Sequence, residues 1–289
     1  MNLYVICALL AGAFWGSVGI FATQMREAGV GSAGMMILRC GFAGLCFAIL
    51  LLRKNPRLFL FKKKDALLFF GVGILGQLCF SLCYYTAMQL VGISIACILL
   101  YLSPVFVMLL ARVFFRDKIG KSGIAALFLC VIGCALVSGF GGTLNVKGIL
   151  CGVGCAVCFA LINIFTRELL RRGYKGWTIN FYTCALAAVG GIVLFGLREP
   201  AAYLSGGSEN VIYGVLSGFI NGFLPYLCFS KALSGLDSGR VAIYGSTEPV
   251  TATLVGVLIF GEKLGLLGFV GILMVLGSIV LMNRPVKST

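Results

Sequence analysis

The sequence predicts an all-α integral membrane protein of ten transmembrane helices, arranged as two inverted five-helix repeats. Three observations predict it. Hydrophobic residues make up 60% of the 289 and charged residues 11%, whereas a soluble domain carries about 25% charged residues. Ten apolar runs are each long enough to cross the roughly 30 Å of hydrocarbon in a bilayer. Sliding the chain by 145 residues, half its length, brings its two halves into register without a gap.

The spans follow one another closely. Leu3–Phe21 lacks a basic region before it and is followed by further spans, so it reads as a retained helix rather than a cleaved signal. Ala33–Leu52 carries Arg39 near its start. Ala66–Leu90 contains "GVGILG", Gly71 to Gly76, a G-x-G-x-x-G string inside a membrane run. A dinucleotide site needs a strand before such a string and a soluble helix after it, so close helix packing is the reading here. Ile93–Phe115 holds Ser103 and Pro104, and Gly120–Gly139 is plainly apolar. Gly148–Thr166 places Cys151, Cys155 and Cys158 on one face, a pattern that could in principle bind a metal but that small packing residues explain far better. Ile179–Leu197 follows, and Val211–Leu233 bears a Gly214, Gly218, Gly222 stripe suited to a close helix contact. Gly239–Phe260 contains Glu248 and Pro249, and Gly265–Met282 closes the series. Uninterrupted runs of this length are helices, because barrel strands alternate over about ten residues.

The net charge of +14 is distributed by side. Of 23 Lys and Arg, 18 lie at alternate connections: Arg53 to Lys64, Arg112 to Lys121, Arg167 to Lys175, Lys231 with Arg240, and the tail Arg284 and Lys287. The intervening loops hold only Arg26, Lys147, Arg198 and Lys263. This bias predicts that both termini are cytoplasmic, in a multi-pass protein of the cytoplasmic (inner) membrane. The cations are juxtamembrane anchors, so no nucleic-acid partner is expected. The chain has 13 cysteines and no histidine. Ser-His-Asp and Cys-His sites, common zinc sets and a histidine relay are thereby excluded, and no cofactor or metal is expected.

The repeat is written in specific strings. "SPVFVMLLARVFFRDKIGKSG", Ser103 to Gly123, lies over "EPVTATLVGVLIFGEKLGLLG", Glu248 to Gly268. Pro104 meets Pro249, Lys118 meets Lys263, Gly120 meets Gly265, and Asp117 faces Glu262. Five spans per half is an odd number, so the second half enters the membrane from the opposite side. The repeats are expected over residues 1–142 and 143–289. Inverted repeats recur in secondary transporters, with the site near mid-membrane where the halves meet.

These strings, with Arg39 in "MMILRCGFAGL" and "YYTAM" at the end of the third span, resemble the drug/metabolite transporter superfamily, and its EamA-type permeases most. The resemblance covers essentially the whole chain. It implies an inner-membrane carrier, often an exporter of amino acids or other small metabolites. It also implies a central cavity lined by helices 1, 3, 4, 6, 8 and 9, with 5 and 10 more peripheral. Asp117 stands where the family usually has Glu.

Glu248 is the acidic residue deep in a span; the other eight lie in loops or at a helix end. Intramembrane carboxylates are functional candidates by default. Three roles are open to it: a coupling-proton or substrate-ammonium site, a hydrogen-bonded brace for a kinked helix, or an ion pair with Arg39. Pro104 and Pro249 are expected to kink their helices near mid-membrane, freeing the Leu100 and Gly245 carbonyls, and with Arg39 they are candidate gating elements. Trp15, Gln77, Tyr84, Tyr101, Ser103, Asn163, Asn221, Tyr244, Ser246 and Thr247 are candidate substrate contacts beside Glu248, with Pro225 and Tyr85 nearby. Amide, hydroxyl and aromatic groups suit a small zwitterion or an organic cation.

The expected function is secondary transport of a small metabolite such as an amino acid or amine, outward, by alternating access. A proton gradient or the substrate's own gradient would drive it, since no G-x-x-x-x-G-K-[ST] loop appears. Import or exchange by the same fold is the alternative. Outside transport, an intramembrane enzyme or a scaffold is the competing reading. The expected partners are the small-molecule substrate and the lipid bilayer, with homodimerisation left open.

Overall fold

A computed structural model describes residues 2–91, 96, 99–117, 120–138, 145–260 and 265–282. The start of the fourth predicted span, Lys118, Glu262, Lys263, the Arg284 and Lys287 tail and the Tyr85 side chain lie outside the described residues. Every regular element among those described is helical. Helix α1 is Leu3–Glu27, α2 Ser32–Lys54 and α3 the run Ala66–Phe70, Gly71–Leu78, Cys79–Val91. Then come α4 (Ser103–Phe115), α5 (Lys121–Ser138), α6 (Val146–Arg171) and α7 (Gly176–Phe195). A short surface helix, Arg198–Ser205, precedes α8 (Ser208–Leu233), α9 (Ser238–Gly245 and Thr247–Phe260) and α10 (Leu266–Met282). Seven of these, α1–α3 and α6–α9, are long and apolar enough to cross a membrane by length and composition; α4, α5 and α10 are shorter apolar helices.

Apolar side chains cover the outside as well as the inside. Leu67, Val113, Leu150, Val193, Leu258 and Leu266 are all largely exposed. A soluble protein rarely leaves such a belt uncovered, whereas lipid covers it at no cost. The interior is built from small residues and a few large ones: Ala8, Ala11, Ile162, Phe229 and Tyr244 share one buried cluster.

The helices pair across the two halves. Helix α1 packs on α8 and α9, α2 on α7 and α8, α3 on α6 and α7, and α4 on α6 and α9. Helix α5 packs mainly on α10. The glycine stripe of α8 meets α2, with Gly214 and Gly218 against Phe42 and Gly222 against Ala43. That is the close contact expected of small residues at four-residue spacing.

Five helices depart from α geometry in their course or at their start. The chain turns at Ser17 in α1, at Tyr101–Leu102 before α4 and at Ser246 in α9. Segments Gly71–Leu78 of α3 and Ser217–Phe223 of α8 are π-helical. Adding 145 carries Tyr101 onto Ser246 and Val72–Leu78 onto Ser217–Phe223. The Ser17 turn has no counterpart, because α6 runs unbroken through residue 162.

The prolines do more than kink. Pro104 stands at the start of α4, after a tight turn in which Leu102 N–H donates to Leu99 O at 3.2 Å. In α9 the corresponding turn has Ser246 N–H donating to Ile243 O at 3.1 Å, and a new helix begins at Thr247. A proline lacks an N–H and has φ fixed, so it is best tolerated in a helix's first turn, where that N–H has no partner anyway. Ending one helix and starting another relieves the clash that an interior kink would retain.

Helix α1 meets α9 backbone to backbone. A Cβ built on Gly16 would lie 2.5 Å from Glu248 O, 2.7 Å from Thr251 Cβ and 3.0 Å from Ala252 N. Gly19, one turn on, has nothing within 4 Å. Gly16→Leu is therefore expected to destabilise the fold by about 1–3 kcal/mol or more, read as a lowered melting temperature in detergent, while Gly19→Leu leaves it unchanged.

Candidate functional site

Glu248 sits in the first turn of the second α9 segment, against the Gly12–Gly16 face of α1. It is half-buried, and its carboxylate oxygens are not among the sealed, unpaired polar atoms of the described residues. Among the described residues no hydrogen bond or ion pair fixes that carboxylate. The Arg39 guanidinium acts on it through space. The bracing role instead belongs to its neighbour. Thr247 Oγ1 bonds Leu9 O at 2.9 Å and Tyr244 O at 3.1 Å, tying the break in α9 to α1.

The break in α1 is held from the other side. Asn221, in the π segment of α8, donates from Nδ2 to Phe14 O at 2.7 Å and to Ser17 Oγ at 3.0 Å. Ser17 Oγ itself donates to Phe14 O at 2.8 Å. A turn inside an apolar bundle leaves backbone groups that water cannot satisfy, so side chains must supply the bonds. Among the described residues, Asn221 Oδ1 is buried with no partner, and so is Asn163 Oδ1, whose Nδ2 bonds Phe159 O at 3.0 Å. Each is an acceptor whose bonding capacity those residues leave unused.

Trp15 lies two residues before the Ser17 turn. Its ring meets Phe159 at 5.9 Å, Tyr226 at 5.7 Å and Phe229 at 5.6 Å between centroids, two of the three edge to face. Tyr226 OH in turn donates to Gln77 Oε1, while Gln77 Nε2 points at Cys40 Sγ, 3.8 Å away. Gln77, fully buried in the π segment of α3, thus joins α2, α3 and α8 and is spent on protein contacts. Tyr84 is half-buried and stacks on Phe80 at 5.7 Å. Tyr101 and Tyr244 are buried in the same apolar cluster as Phe229, and Ser103, Pro104 and Pro249 are buried beside the helix starts.

The predicted residues therefore divide. Trp15, Asn221, Thr247 and Glu248 converge on the two sides of α1. Gln77 enters the same aromatic group through Tyr226. Ser246 turns away: its Oγ accepts from Cys130 Sγ of α5 at 3.0 Å and donates to Ala242 O at 3.3 Å. Asn163 lies one turn from Arg167, nearer the basic end of the bundle. Tyr226, Phe159 and Phe229 were not among the sequence candidates. The one available signal for Tyr226 was a hydroxylated aromatic directly after Pro225 in mid-span. A cleft of about 470 Å³ opens between the Ala28–Val30 turn and Glu199, Tyr203 and Asn210, and no candidate residue lines it. Among the described residues no three His, Cys, Asp or Glu are placed to hold a metal.

The basic end is closed by charge. Arg167 at the end of α6 makes a two-pronged ion pair with Asp117 after α4, one bond being 3.1 Å. It also reaches Asp237 at 3.5 Å, ahead of α9, and lies 4.3 Å over the Phe115 ring. Next to it, Arg172 binds both Asp65 and Glu168, and Tyr174 OH donates to Asp65 at 2.6 Å. Burial, and then the Asp65 carboxylate beside it, hold the Tyr174 phenol above its ordinary pKa.

A profile of the "EamA-like transporter family" matches residues 2–139 and again 146–284. The "Uncharacterized transporter YxxF" of Bacillus subtilis is 25% identical over 96% of this chain and 88% of its own length. The "Uncharacterized inner membrane transporter YicL" of Salmonella typhimurium is 23% identical over 95% and 93%. The "Multidrug resistance protein EbrB" of Bacillus atrophaeus is 36% identical over 73 residues, which is 25% of this chain. A solved crystal structure superposes with a TM-score of 0.85 over 99% of both chains at 15% identity, a likeness of fold alone.

Asn221→Leu removes the donor that the Phe14 carbonyl and the Ser17 hydroxyl share. It is expected to cost about 1–3 kcal/mol, seen as a lowered melting temperature in detergent.

Proposed function

The chain belongs to the EamA-like transporter family, and from that premise we propose that it is a secondary transporter carrying a small metabolite, of the amino-acid or amine type, outward across the cytoplasmic membrane. In this reading α1–α10 all span the bilayer, residues 1–142 and 143–289 form inverted repeats, and both termini are cytoplasmic. The two family matches and the paired π segments and helix breaks support the repeat.

One observation carries the proposal. An intramembrane carboxylate costs about 3 kcal/mol, and among the described residues Glu248 keeps its own unbonded, on a half-buried residue at a helix break in mid-span. A structural carboxylate would be committed to a donor. A carboxylate held open suits alternate occupancy by a proton and by the substrate's ammonium or other donor group. The buried acceptor of Asn221 and the Trp15–Tyr226 edges stand around the same stretch of α1 and complete a site for a donor-rich molecule.

Alternating access needs a closure on each side of that site. The Arg167–Asp117–Asp237 cluster joins the α4–α5 turn of the first repeat to α6 and the α8–α9 turn of the second. It thus fastens the two repeats together at the basic, cytoplasmic end. Arg167 and Asp117 keep only 15% and 19% of their side-chain surface, so salt screens this pair less than an open surface pair. The opposite end has no ion pair among the described residues. There Gly31 N–H donates to Glu199 at 3.1 Å and Tyr203 OH donates to Gln24 Oε1 at 2.6 Å. The ion pairs at the basic end support a carrier shut towards the cytoplasm.

Two measurements test the reading. Glu248→Gln in proteoliposomes is expected to lower substrate flux at least about tenfold, the scale of one contact to a charged group, and to abolish its pH dependence; unchanged flux and pH profile in a folded variant would sink the coupling role. Arg167→Gln is expected to speed labelling of a Ser103→Cys reporter by a membrane-impermeant maleimide from the cytoplasmic side, by about fivefold or more.

A further inference from the structure

The connection between α2 and α3 reads "RKNPRLFLFKKKD", Arg53 to Asp65. Arg53, Lys54, Arg57, Lys62, Lys63 and Lys64 are all exposed, and among the described residues none of the six forms an ion pair. Asp65, the acid of the stretch, is 1% exposed and is committed to Arg172 and Tyr174. Six cations without an ion pair among the described residues therefore share a stretch of thirteen residues.

Orientation in a membrane requires only that such cations exist, not that their backbone be fixed. Here it is fixed throughout. Asn55 Oδ1 accepts from Arg57 N–H at 2.9 Å and starts the turn Pro56–Phe59. Thr178 Oγ1 donates to Leu58 O at 2.8 Å, and Tyr182 OH to Phe59 O at 2.7 Å. Lys62 N–H donates to Tyr174 OH at 3.0 Å. Phe59 packs on Phe181 and Phe61 on Phe69, both at about 5 Å between ring centroids. Between those two anchored rings Leu60 is left 73% exposed, with Leu52 and Leu67 exposed on the flanking helices.

We propose that this pinned shelf is a binding site for the headgroups of anionic phospholipids in the cytoplasmic leaflet. Cations carried on a pinned backbone meet headgroup phosphates with less loss of loop entropy than cations on a free loop. The exposed leucines beside the cations supply an apolar surface that acyl chains cover and a soluble anion would leave bare. The shelf is coupled to the cytoplasmic closure, because Asp65 holds Arg172 one turn from Arg167 on the same chain segment. The inference rests on the membrane reading above but not on transport, so a failed Glu248 test leaves it standing.

Trp177 gives a built-in reporter, since Lys54 Nζ lies 5.7 Å from its ring centroid and Trp15→Phe makes it the sole tryptophan. Quenching by brominated phosphatidylglycerol is compared with that by brominated phosphatidylcholine in mixed vesicles. The expected relative affinity is at least about fivefold for the anionic lipid, falling towards unity in high salt. R57Q/K62Q/K63Q is expected to bring it near unity at low salt, whereas R26Q/R198Q at the other face leaves it unchanged. A parent ratio near unity, or a triple variant that keeps the preference, overturns the proposal. Displacement of the lipid by millimolar soluble glycerophosphate also overturns it, in favour of a soluble anion.

Discussion

Inside hydrocarbon no water is present to bond a broken backbone, and every departure from the helix must therefore find its partner within the protein. That constraint organises this bundle. The turns at Ser17 and Ser246 lie on neighbouring helices, and each is repaired by a side chain from another helix or from the turn itself. Asn221 serves the Phe14 carbonyl, and Thr247 serves Leu9 and Tyr244. The repairs hold α8, α1 and α9 together as one unit, and the glycines at 12 and 16 bring α1 close enough for the bonds to form. Glu248 is the polar group of this unit that no repair consumes.

The polar residues are also where the two repeats differ. Glu248 corresponds to Ser103, Asn221 to Gly76, Gln77 to Gly222, Arg39 to Cys184 and Trp15 to Ala160. The scaffold is shared, but the chemistry is written in one copy at each position. A symmetric frame suits a carrier that presents similar openings to two sides, while an asymmetric centre lets one substrate be held in one orientation.

Much of the fold was legible because its signals are local or periodic. Span lengths, the alternation of Lys and Arg between loops and the shared Pro–Gly strings all follow from the bilayer's thickness and from the repeat. Glu248 stood out because a carboxylate among apolar neighbours is conspicuous. Residues whose importance comes from what they touch were less visible. Tyr226, Phe159 and Phe229 are ordinary aromatics until Trp15 is placed between them. The Asp117, Arg167 and Asp237 cluster spans 120 positions of chain, and its members read singly as loop charges. Ser246 looked like part of the site, but the turn sends its hydroxyl to Cys130 instead. The prolines were expected inside kinked helices and stand at helix starts, a difference set by how the preceding turn closes.

The paired π segments carry a historical consequence. A π turn holds an extra residue relative to the α-helix on either side, and one added residue rotates everything beyond it by about 100°. In α3 and α8 the segments end at Leu78 and Phe223, positions separated by the same 145 residues as the rest of the repeat. Two separate insertions would have had to strike the same place in the two halves. A single insertion in an ancestral five-helix gene, copied when that gene doubled, accounts for both. On that account the π segments that carry Gln77 and Asn221 share one origin, while Glu248 and Asn221 each stand in one half.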